Sequence, residues 1–246
     1  MSKQSKVAMS KNARRYTRKR KIVVGDAPTP KYSKSIVLVP QTYNQQTYAT
    51  ALNADPLVFV TGCAGTGKTY MAATQAAKMY YERKVAKIVI TRPNVAAGGR
   101  DIGFFKGGLE EKMAPWVAPL IDVLKKHLGE VKVKSMLSDG EIVVEPFSVM
   151  RGKSFDNAFI ILDEAQNTTY VELKMFLTRI GENTKVVVNG DVAQTDLAEK
   201  SGLGRIIRMI KGQMLPFPVI EMTVDDIVRS DVCATWIKAF IKEEAS

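Results

Sequence analysis

One segment constrains the fold of this chain more than any other. Residues Gly62–Thr69 match the pattern G-x-x-x-x-G-K-[ST] at every fixed position, between an apolar, β-favouring run at Leu57–Thr61 and a helix-favouring run that begins at Lys68. Glycines allow a backbone that turns from strand to helix to direct its N–H groups inward at an anion. Because a helix N-terminus adds positive partial charge there, the segment predicts a phosphate-binding loop.

The residues of this loop have predicted roles in binding a nucleotide. Lys68 is expected to reach the β- and γ-phosphates, and the hydroxyl of Thr69 is expected to ligate Mg²⁺. A glycine turn that matches by chance is the alternative, and the agreement of both flanks with a downstream acidic motif disfavours it. The predicted nucleotide-binding residues of the loop are Gly62, Cys63, Ala64, Gly65, Thr66, Gly67, Lys68 and Thr69.

Short apolar runs alternate with helix-favouring stretches along most of the chain. Residues 159–162 and 186–188 show no polar alternation, which is typical of strands buried on both faces of a parallel sheet. The alternation predicts an α/β fold with a doubly wound, mostly parallel sheet over residues 35–246. The predicted strands are 57–61, 87–91, 141–145, 158–162, 185–189 and 219–222, and the predicted helices lie near 44–53, 68–83, 108–128, 170–180, 201–211 and 225–242.

A buried strand also supplies the acidic group that a phosphate-binding loop requires. Asp163 and Glu164 directly follow the apolar run 159–162, so both carboxylates lie at the carboxyl end of a predicted strand, where open parallel sheets bind ligands. We predict that Asp163 holds Mg²⁺ and that Glu164 is the general base that polarises the attacking water. Two solvated acids at a strand end are the alternative interpretation.

A further predicted strand ends in the motif Gly190-Asp191-x-x-Gln194. It delivers polar groups to the same edge of the sheet, and an amide can both donate and accept hydrogen bonds. Gln194 is therefore predicted to contact the γ-phosphate and its attacking water. An ordinary turn after a strand is the competing interpretation.

The net charge of +11 is concentrated at the N-terminus. Nine of the 36 basic residues lie within the first 21 positions, and the remaining chain carries 27 basic against 25 acidic residues. Residues 1–34 predict a basic, disordered arm, because they contain too few large apolar side chains to offset the entropy of ordering. The arm either contacts the phosphates of RNA or DNA or is a solubilising tail, and charge alone leaves both interpretations open.

The apolar runs, the N-terminus and the cysteines indicate the cellular compartment. No apolar run approaches the roughly 18 residues that a membrane helix needs, and the basic N-terminus lacks the apolar core of a secretory signal. Cys63 and Cys233 lie far apart and indicate no disulfide framework. These features predict a cytoplasmic protein, of a bacterium or a phage-infected cell, with no membrane partner.

Several motifs together carry a family resemblance. They are Gly62–Thr69, the run Asp163-Glu164-Ala165-Gln166-Asn167, and Gly190-Asp191-x-x-Gln194, with shorter similar stretches that begin at Thr42, Thr91, Met150, Lys174, Lys200 and Asp226. In this order, over roughly residues 40–240, they resemble the PhoH-like proteins, P-loop ATPases related to the cores of superfamily 1 helicases. The resemblance implies a single RecA-like P-loop NTPase domain, use of ATP and Mg²⁺, a homo-oligomeric ring such as a hexamer, association with RNA or single-stranded DNA, and a link to phosphate starvation.

The resemblance also implies roles for individual residues. Gln45 resembles a glutamine that reads adenine, and Arg229 resembles an arginine that completes an ATP site, in its own or a neighbouring subunit. Where the family often carries His after this arginine, the present chain has Ser230. A single RecA-like domain has no second lobe to supply a further cation, so activity is expected to require self-assembly, with Arg229 as the first candidate catalytic arginine. The other candidates are Arg92, Arg205 and Arg208.

Three functions stay open on these grounds. The first is a nucleic-acid-stimulated ATPase or helicase-like remodeller, favoured by the basic arm and the Gly190-Asp191-x-x-Gln194 motif. The second is a small-molecule kinase. It is disfavoured because the sequence shows no motif for an acceptor substrate and because Glu164 is suited to activating water. The third is a nucleotide-dependent regulatory protein with slow turnover.

Overall fold

Six parallel strands form the centre of the structure, a computed structural model that describes residues 35–93, 109–150, 154–194 and 201–244. The predicted arm at 1–34 lies outside the described residues, as do Arg151, Gly152 and Lys200 of the similar stretches. The strands are β1 (Leu57–Thr61), β2 (Lys87–Arg92), β3 (Ile142–Pro146), β4 (Ala158–Leu162), β5 (Lys185–Gly190) and β6 (Val219–Glu221). The helices are α1 (Tyr43–Ala54), α2 (Lys68–Tyr81), α3 (Leu109–Leu128), α4 (Glu130–Ser138), α5 (Tyr170–Leu177), α6 (Gly202–Gly212) and α7 (Asp231–Glu244).

The strand order across the sheet is β3-β2-β4-β5-β1-β6. Every pairing between neighbours is parallel, and β5 lies between β1 and β4. The loop that follows β1 and the acidic pair that follows β4 therefore emerge from the same edge of the sheet, with β5 between them. The predicted doubly wound, parallel α/β class is confirmed.

Two apolar clusters cover the two faces of the sheet. Because successive strand side chains point to opposite faces, Val58 and Val60 of β1 pack with residues of α1, α2, α3 and α4, whereas Leu57 and Phe59 pack with residues of α5 and α6. All five residues of β4 and all six of β5 are buried. This burial explains why both strands read as continuous apolar runs in the sequence.

Most predicted elements agree with the structure to within a few residues, but one predicted helix is wrong and one helix was missed. A single helix over 225–242 is wrong: a 3-10 turn at Val224–Asp226 is closed by a capping box with Thr223, and α7 begins only at Asp231. Between them the N–H of Val228 donates to the carbonyl of Gly65 at 3.0 Å. The backbone at Val228 therefore forms a hydrogen bond with the phosphate-binding loop, where a helix would have used the same N–H for an internal hydrogen bond.

The missed helix directly follows α3. Gly129, with φ of 89°, separates α3 from a further helix, α4, which the sequence did not predict. α4 buries only Val133 and Met136, so its apolar pattern is weak. None of the described helices is both long and apolar enough to cross a membrane.

Candidate nucleotide-binding site

A cavity of about 740 Å³ opens where β1, β4 and β5 end. It brings together residues that are far apart in the sequence, from the loop after β1, the acidic pair after β4 and the turn after β5. The predicted site residues that line it are Gln45, Ala64, Gly65, Gly67, Lys68, Thr69, Asp163, Glu164, Gln194 and Arg229. Gly62, Cys63 and Thr66 belong to the same loop, in which the hydroxyl of Thr66 donates to the carbonyl of Cys63 at 3.0 Å.

Two glycines of the loop are required by its close packing. Gly62 has φ of 136°, and a Cβ there would lie 2.4 Å from the carbonyl oxygen of Met222. Gly67 has φ of 83°, and a Cβ there would lie 3.1 Å from Nε2 of Gln45. Since only glycine adopts such conformations without strain, the loop depends on these positions for its shape.

Lys68 lies at the centre of the loop. Its ammonium donates to the carbonyl oxygens of Gly62 and Cys63, the latter at 2.8 Å. Burial lowers the pKa of Lys68, and the carboxylates of Asp191 and Asp163 oppose that shift. The loop therefore presents a partly desolvated cation whose present acceptors are its own backbone carbonyls.

Asp163 and Thr69 meet at the base of the cavity. The Thr69 hydroxyl donates to Oδ1 of Asp163 at 3.1 Å, and Nδ2 of Asn189 donates to the same oxygen at 3.3 Å. The hydroxyl of Tyr48, fully buried in α1, donates in turn to Oδ1 of Asn189 at 3.4 Å. Burial raises the pKa of Asp163, and the neighbouring charge of Glu164 raises it further.

These oxygens suit a hard cation. Hydroxyl and carboxylate oxygens are ligands that Mg²⁺ accepts, and Mg²⁺ in phosphate sites usually keeps several waters and few protein ligands. Within the described part of the chain, no group of three or more His, Cys, Asp or Glu side chains is placed to hold a metal. Thr69 and Asp163 therefore fit Mg²⁺ bound together with phosphate, and do not fit a metal cage made of protein alone.

Glu164 occupies a constrained position beside Asp163. Its φ is 56°, a left-handed conformation that is uncommon for a residue with a side chain and that is found at functional sites. Its Oε2 accepts from Nε2 of Gln166 at 2.6 Å, and its Oε1 lies 3.8 Å from Nη2 of Arg92. The carboxylate is thus oriented from both sides at the wall of the cavity.

Gln166 and the turn after β5 connect the two acidic strand ends. Oε1 of Gln166 accepts from the N–H of Asp191 at 3.0 Å, so one amide joins Glu164 to the end of β5. Gln194 is exposed at the cavity, and its N–H donates to the carbonyl of Asp191 at 3.2 Å. Sequence reasoning missed the role of Gln166, as it missed Asn189 and Tyr48, although a polar residue that directly follows the apolar run 186–188 was a signal for Asn189.

Gln45 lies against the phosphate-binding loop and is almost fully buried, with 2% exposure. Its Oε1 accepts from the N–H of Gln41 at 2.8 Å, and its Nε2 donates to the carbonyl of Thr66 at 3.1 Å. Both polar groups of the amide are therefore engaged by backbone. In this arrangement Gln45 braces the loop.

Asp226 ties the start of α1 to the segment that carries Arg229. It accepts hydrogen bonds from the hydroxyl of Thr42, from Nδ2 of Asn44 at 2.8 Å and from the N–H of Thr223 at 2.7 Å. Burial favours a higher pKa, but the hydrogen bonds from Asn44, Thr223 and Thr42 outweigh it, and the pKa of Asp226 is lowered. The carboxylate is therefore stabilised in its charged form.

We expect Asp226→Asn to lower the free energy of unfolding by about 1–3 kcal/mol at pH 7, because a buried acceptor of several donors is replaced by a group that itself donates. A carboxyl whose folded pKa is lowered stabilises the fold above its unfolded pKa of about 4 and loses that effect as the pH falls through the folded value. The difference between the two proteins should therefore shrink below about pH 4. Urea unfolding across pH measures it, with the exposed Asp225→Asn as the matched control; a difference that persists at acid pH would contradict the assignment.

Arg229 lies on the phosphate-binding loop of its own chain. A Cβ added to Gly65 would lie 3.0 Å from its Cγ and 3.6 Å from its Nε, and the residue lines the cavity. Of the other candidate arginines, Arg92 contacts Glu164, and Arg205 stacks on Tyr170 with its Cζ 3.7 Å from the ring centroid. The cavity thus contains an arginine without any contribution from a second subunit.

The structure has the features of a RecA-like P-loop NTPase domain. These are a parallel sheet, a glycine-rich phosphate loop after one strand, and an acidic pair after a second strand that is separated from the first by one other strand. The chain belongs to the PhoH family, whose model, described as PhoH-like protein, matches residues 37–241. The family resemblance predicted from the motifs is confirmed.

Relatives of known sequence support this assignment. The chain is 42% identical over 205 residues to a PhoH-like protein of Bacillus subtilis (strain 168), which covers 82% of this chain and 64% of the relative. It is 40% identical over 198 residues to Protein PhoH of Escherichia coli (strain K12), which covers 78% of this chain and 55% of the relative. The chain therefore spans less than two thirds of the length of these relatives.

The chain also matches solved structures, at lower sequence identity. The Sulfolobus solfataricus SWI2/SNF2 ATPase core domain superposes with a TM-score of 0.43 at 11% identity, over 74% of this chain and 35% of that one. The Pif1 helicase from Candida albicans gives a TM-score of 0.38 at 16% identity, over 76% of this chain and 41% of that one.

Proposed function

We propose that this chain binds ATP together with Mg²⁺ and hydrolyses it, as the motor of an RNA- or single-stranded-DNA-associated, helicase-like remodeller. The observation that carries the proposal is the contact between Thr69 and Asp163, 3.1 Å apart in a cavity that Lys68 and Glu164 also line. Phosphate-binding, metal-binding and water-activating groups thereby converge on one place, as hydrolysis of a nucleoside triphosphate requires.

The loop binds the phosphates in this proposal. The ammonium of Lys68 exchanges the carbonyls of Gly62 and Cys63 for β- and γ-phosphate oxygens, and the N–H groups at the start of α2 face the same anion. Thr69 and Asp163 would hold Mg²⁺, and the bound ion would supply positive charge against the phosphates. Asn189 keeps the Asp163 carboxylate in place through the oxygen that it shares with Thr69.

Glu164 activates the water. It accepts a proton as the water oxygen bonds to the γ-phosphorus, while the bond from that phosphorus to the β–γ bridging oxygen breaks to release ADP and phosphate. Gln166 and Arg92 orient the carboxylate, and Gln194 positions the water and the γ-phosphate. The position of Arg229 beside Gly65 supports a role in stabilising phosphate charge, in its own chain or, after self-assembly, at the site of a neighbouring subunit.

Nucleic acid is the partner that the composition favours. The basic arm at 1–34 carries charge suited to phosphate contacts, and the family resemblance implies RNA association. Assembly into a homo-oligomeric ring, such as a hexamer, is likewise proposed from the resemblance.

ATP hydrolysis by the full chain should rise when RNA is added. Deleting residues 1–21 should weaken RNA binding and flatten its salt dependence, because each lost single-strand phosphate contact removes about 0.7 from the slope of log K against log salt. The measurement is ATP turnover and RNA affinity for both chains at about 50 and about 200 mM salt, with RNA, single-stranded DNA or neither.

The same assay separates the alternatives. Basal turnover that no nucleic acid changes would favour the slow, regulatory protein, and phosphate transfer to a metabolite would favour the kinase. An unchanged RNA affinity after the deletion would show that the arm is only a solubilising tail.

A further inference from the structure

The cavity extends well beyond the phosphate-binding groups. One part of its lining comes from the extended segment before α1, the first turn of α2 and one face of α3. The residues of this part are Val37, Val39, Tyr70, Pro119, Val123 and Lys126. Lys68, Glu164 and Gln194 are assigned above to the phosphates and the attacking water, so this other part of the lining is left to receive the nucleoside of a bound triphosphate.

The segment before α1 places apolar side chains in the cavity wall. Its residues alternate, as in an extended chain: Ile36 is buried in the core and Leu38 packs against it. Val37 and Val39 point outward, with exposures of 62% and 68%, and both line the cavity. Two exposed valines beside a nucleotide cavity form a surface suited to the flat face of a base.

Tyr70 gives this part of the cavity an aromatic ring. It directly follows Thr69 in α2, is 41% exposed and lines the cavity. Nζ of Lys126 donates to its hydroxyl at 3.2 Å and lies 5.2 Å from its ring centroid, so α3 fixes the position of the ring. An aromatic ring held in place can stack on any base, because every base presents a π-face.

Gln45 is held by backbone groups on both sides of its amide. Its Oε1 and Nε2 are engaged by the backbone of Gln41 and Thr66, and only 2% of the residue is exposed. To read adenine as well, the amide would have only its second N–H and the second lone pair of Oε1. In its present position the glutamine shapes the loop that receives the phosphates, whichever base is attached.

We infer that the nucleobase stacks on Tyr70 in the cleft between Val37, Val39 and α3, and that Gln45 is a positioning residue for the phosphate loop. This inference rests on the proposed nucleotide binding and assigns the nucleoside end of that site. Recognition by stacking discriminates weakly between bases. The chain therefore accepts ATP and GTP with affinities that differ by less than about ten-fold.

The test compares nucleotides with inorganic tripolyphosphate, which has the phosphates but no base. With Mg²⁺ present, Tyr70→Ala should weaken ATP and GTP binding by about 10- to 100-fold, the range expected for one lost stacking contact, and leave tripolyphosphate binding unchanged. Tyr70→Phe should recover most of the nucleotide affinity because it restores the ring. Tyr81→Ala, at the other end of α2 and 40% exposed, is the matched control.

Gln45→Ala supplies the second readout. Because Gln45 supports the phosphate-binding loop, its replacement should weaken ATP, GTP and tripolyphosphate binding by a similar factor. The ratio of ATP to GTP affinity should stay unchanged. Calorimetric titration measures all of these affinities.

Two results would overturn the inference while nucleotide binding itself stands. One is a Tyr70→Ala variant that binds ATP normally or loses ATP and tripolyphosphate equally. The other is a preference of the unaltered chain for ATP over GTP that exceeds about ten-fold and that Gln45→Ala removes. Failure of the unaltered chain to bind any nucleotide with Mg²⁺ would instead remove the proposed function itself.

Discussion

Replacing Glu164 by glutamine is expected to leave ATP binding within a few-fold of normal and to reduce hydrolysis by about 10²- to 10⁴-fold. The amide keeps the size of the side chain and can still contact Gln166, but it cannot accept the proton of the attacking water. Asp163, Thr69 and Lys68 remain in place to bind the nucleotide. Single-turnover hydrolysis, measured beside equilibrium binding of ATP, separates the two effects.

The control for this variant is another glutamate that lies outside the cavity. Glu82, which pairs with Lys84 after the end of α2, is suitable, and Glu82→Gln should retain full turnover. Turnover by Glu164→Gln at the normal rate would show that water is activated by another group. Loss of ATP binding would instead show that Glu164 helps to hold the nucleotide.

Replacing Lys68 by methionine is expected to reduce turnover by about 10²- to 10³-fold, the cost of removing one preorganised donor to developing charge, and to weaken ATP binding as well. The ammonium contacts the carbonyls of Gly62 and Cys63 and lies at the cavity, where phosphate oxygens would replace those carbonyls as its acceptors. Methionine keeps the length of the side chain and removes the charge. Turnover and ATP affinity with Mg²⁺ are the measurements.

A lysine that is exposed and distant from the loop is the matched control. Lys84→Met removes the same charge from a side chain with 62% exposure and should change neither quantity. Circular dichroism of both variants checks that the fold is kept. Normal turnover by Lys68→Met would remove the central assumption of the phosphate site.

The parts of the site that were predictable are those encoded by neighbouring residues. A glycine-rich loop between a strand and a helix, or an acidic pair at the end of an apolar run, specifies local conformation within a few residues. Parallel strands then bring their carboxyl ends to one edge, so the proximity of Asp163 to Thr69, 94 positions apart, followed from the order of the elements. The apolar strands β4 and β5 were recognisable for the same reason, since burial on both faces leaves no polar alternation.

The parts that were not predictable depend on contacts between distant segments. The stretch 225–230 carries a helix-compatible sequence, yet hydrogen bonds with Thr42, Asn44 and Gly65 hold it as a turn followed by a non-helical segment. That segment places Arg229 beside the phosphate-binding loop of its own chain, whereas the family resemblance also allowed Arg229 to act at the site of a neighbouring subunit. Local propensity is worth tenths of a kcal/mol per residue, and several tertiary hydrogen bonds exceed it.

The amino-acid pattern alone was sufficient to define the phosphate loop, its acidic partners and the parallel sheet that joins them, because each depends on short-range geometry and on strand order. The tertiary structure decided which groups of each side chain are engaged: the amide of Gln45 braces Thr66, and Tyr70 lies in the cavity wall under Lys126. Such assignments depend on how α1, α2 and α3 pack over the sheet. Packing of this kind is a sum over many weak long-range contacts that no single segment of the chain encodes.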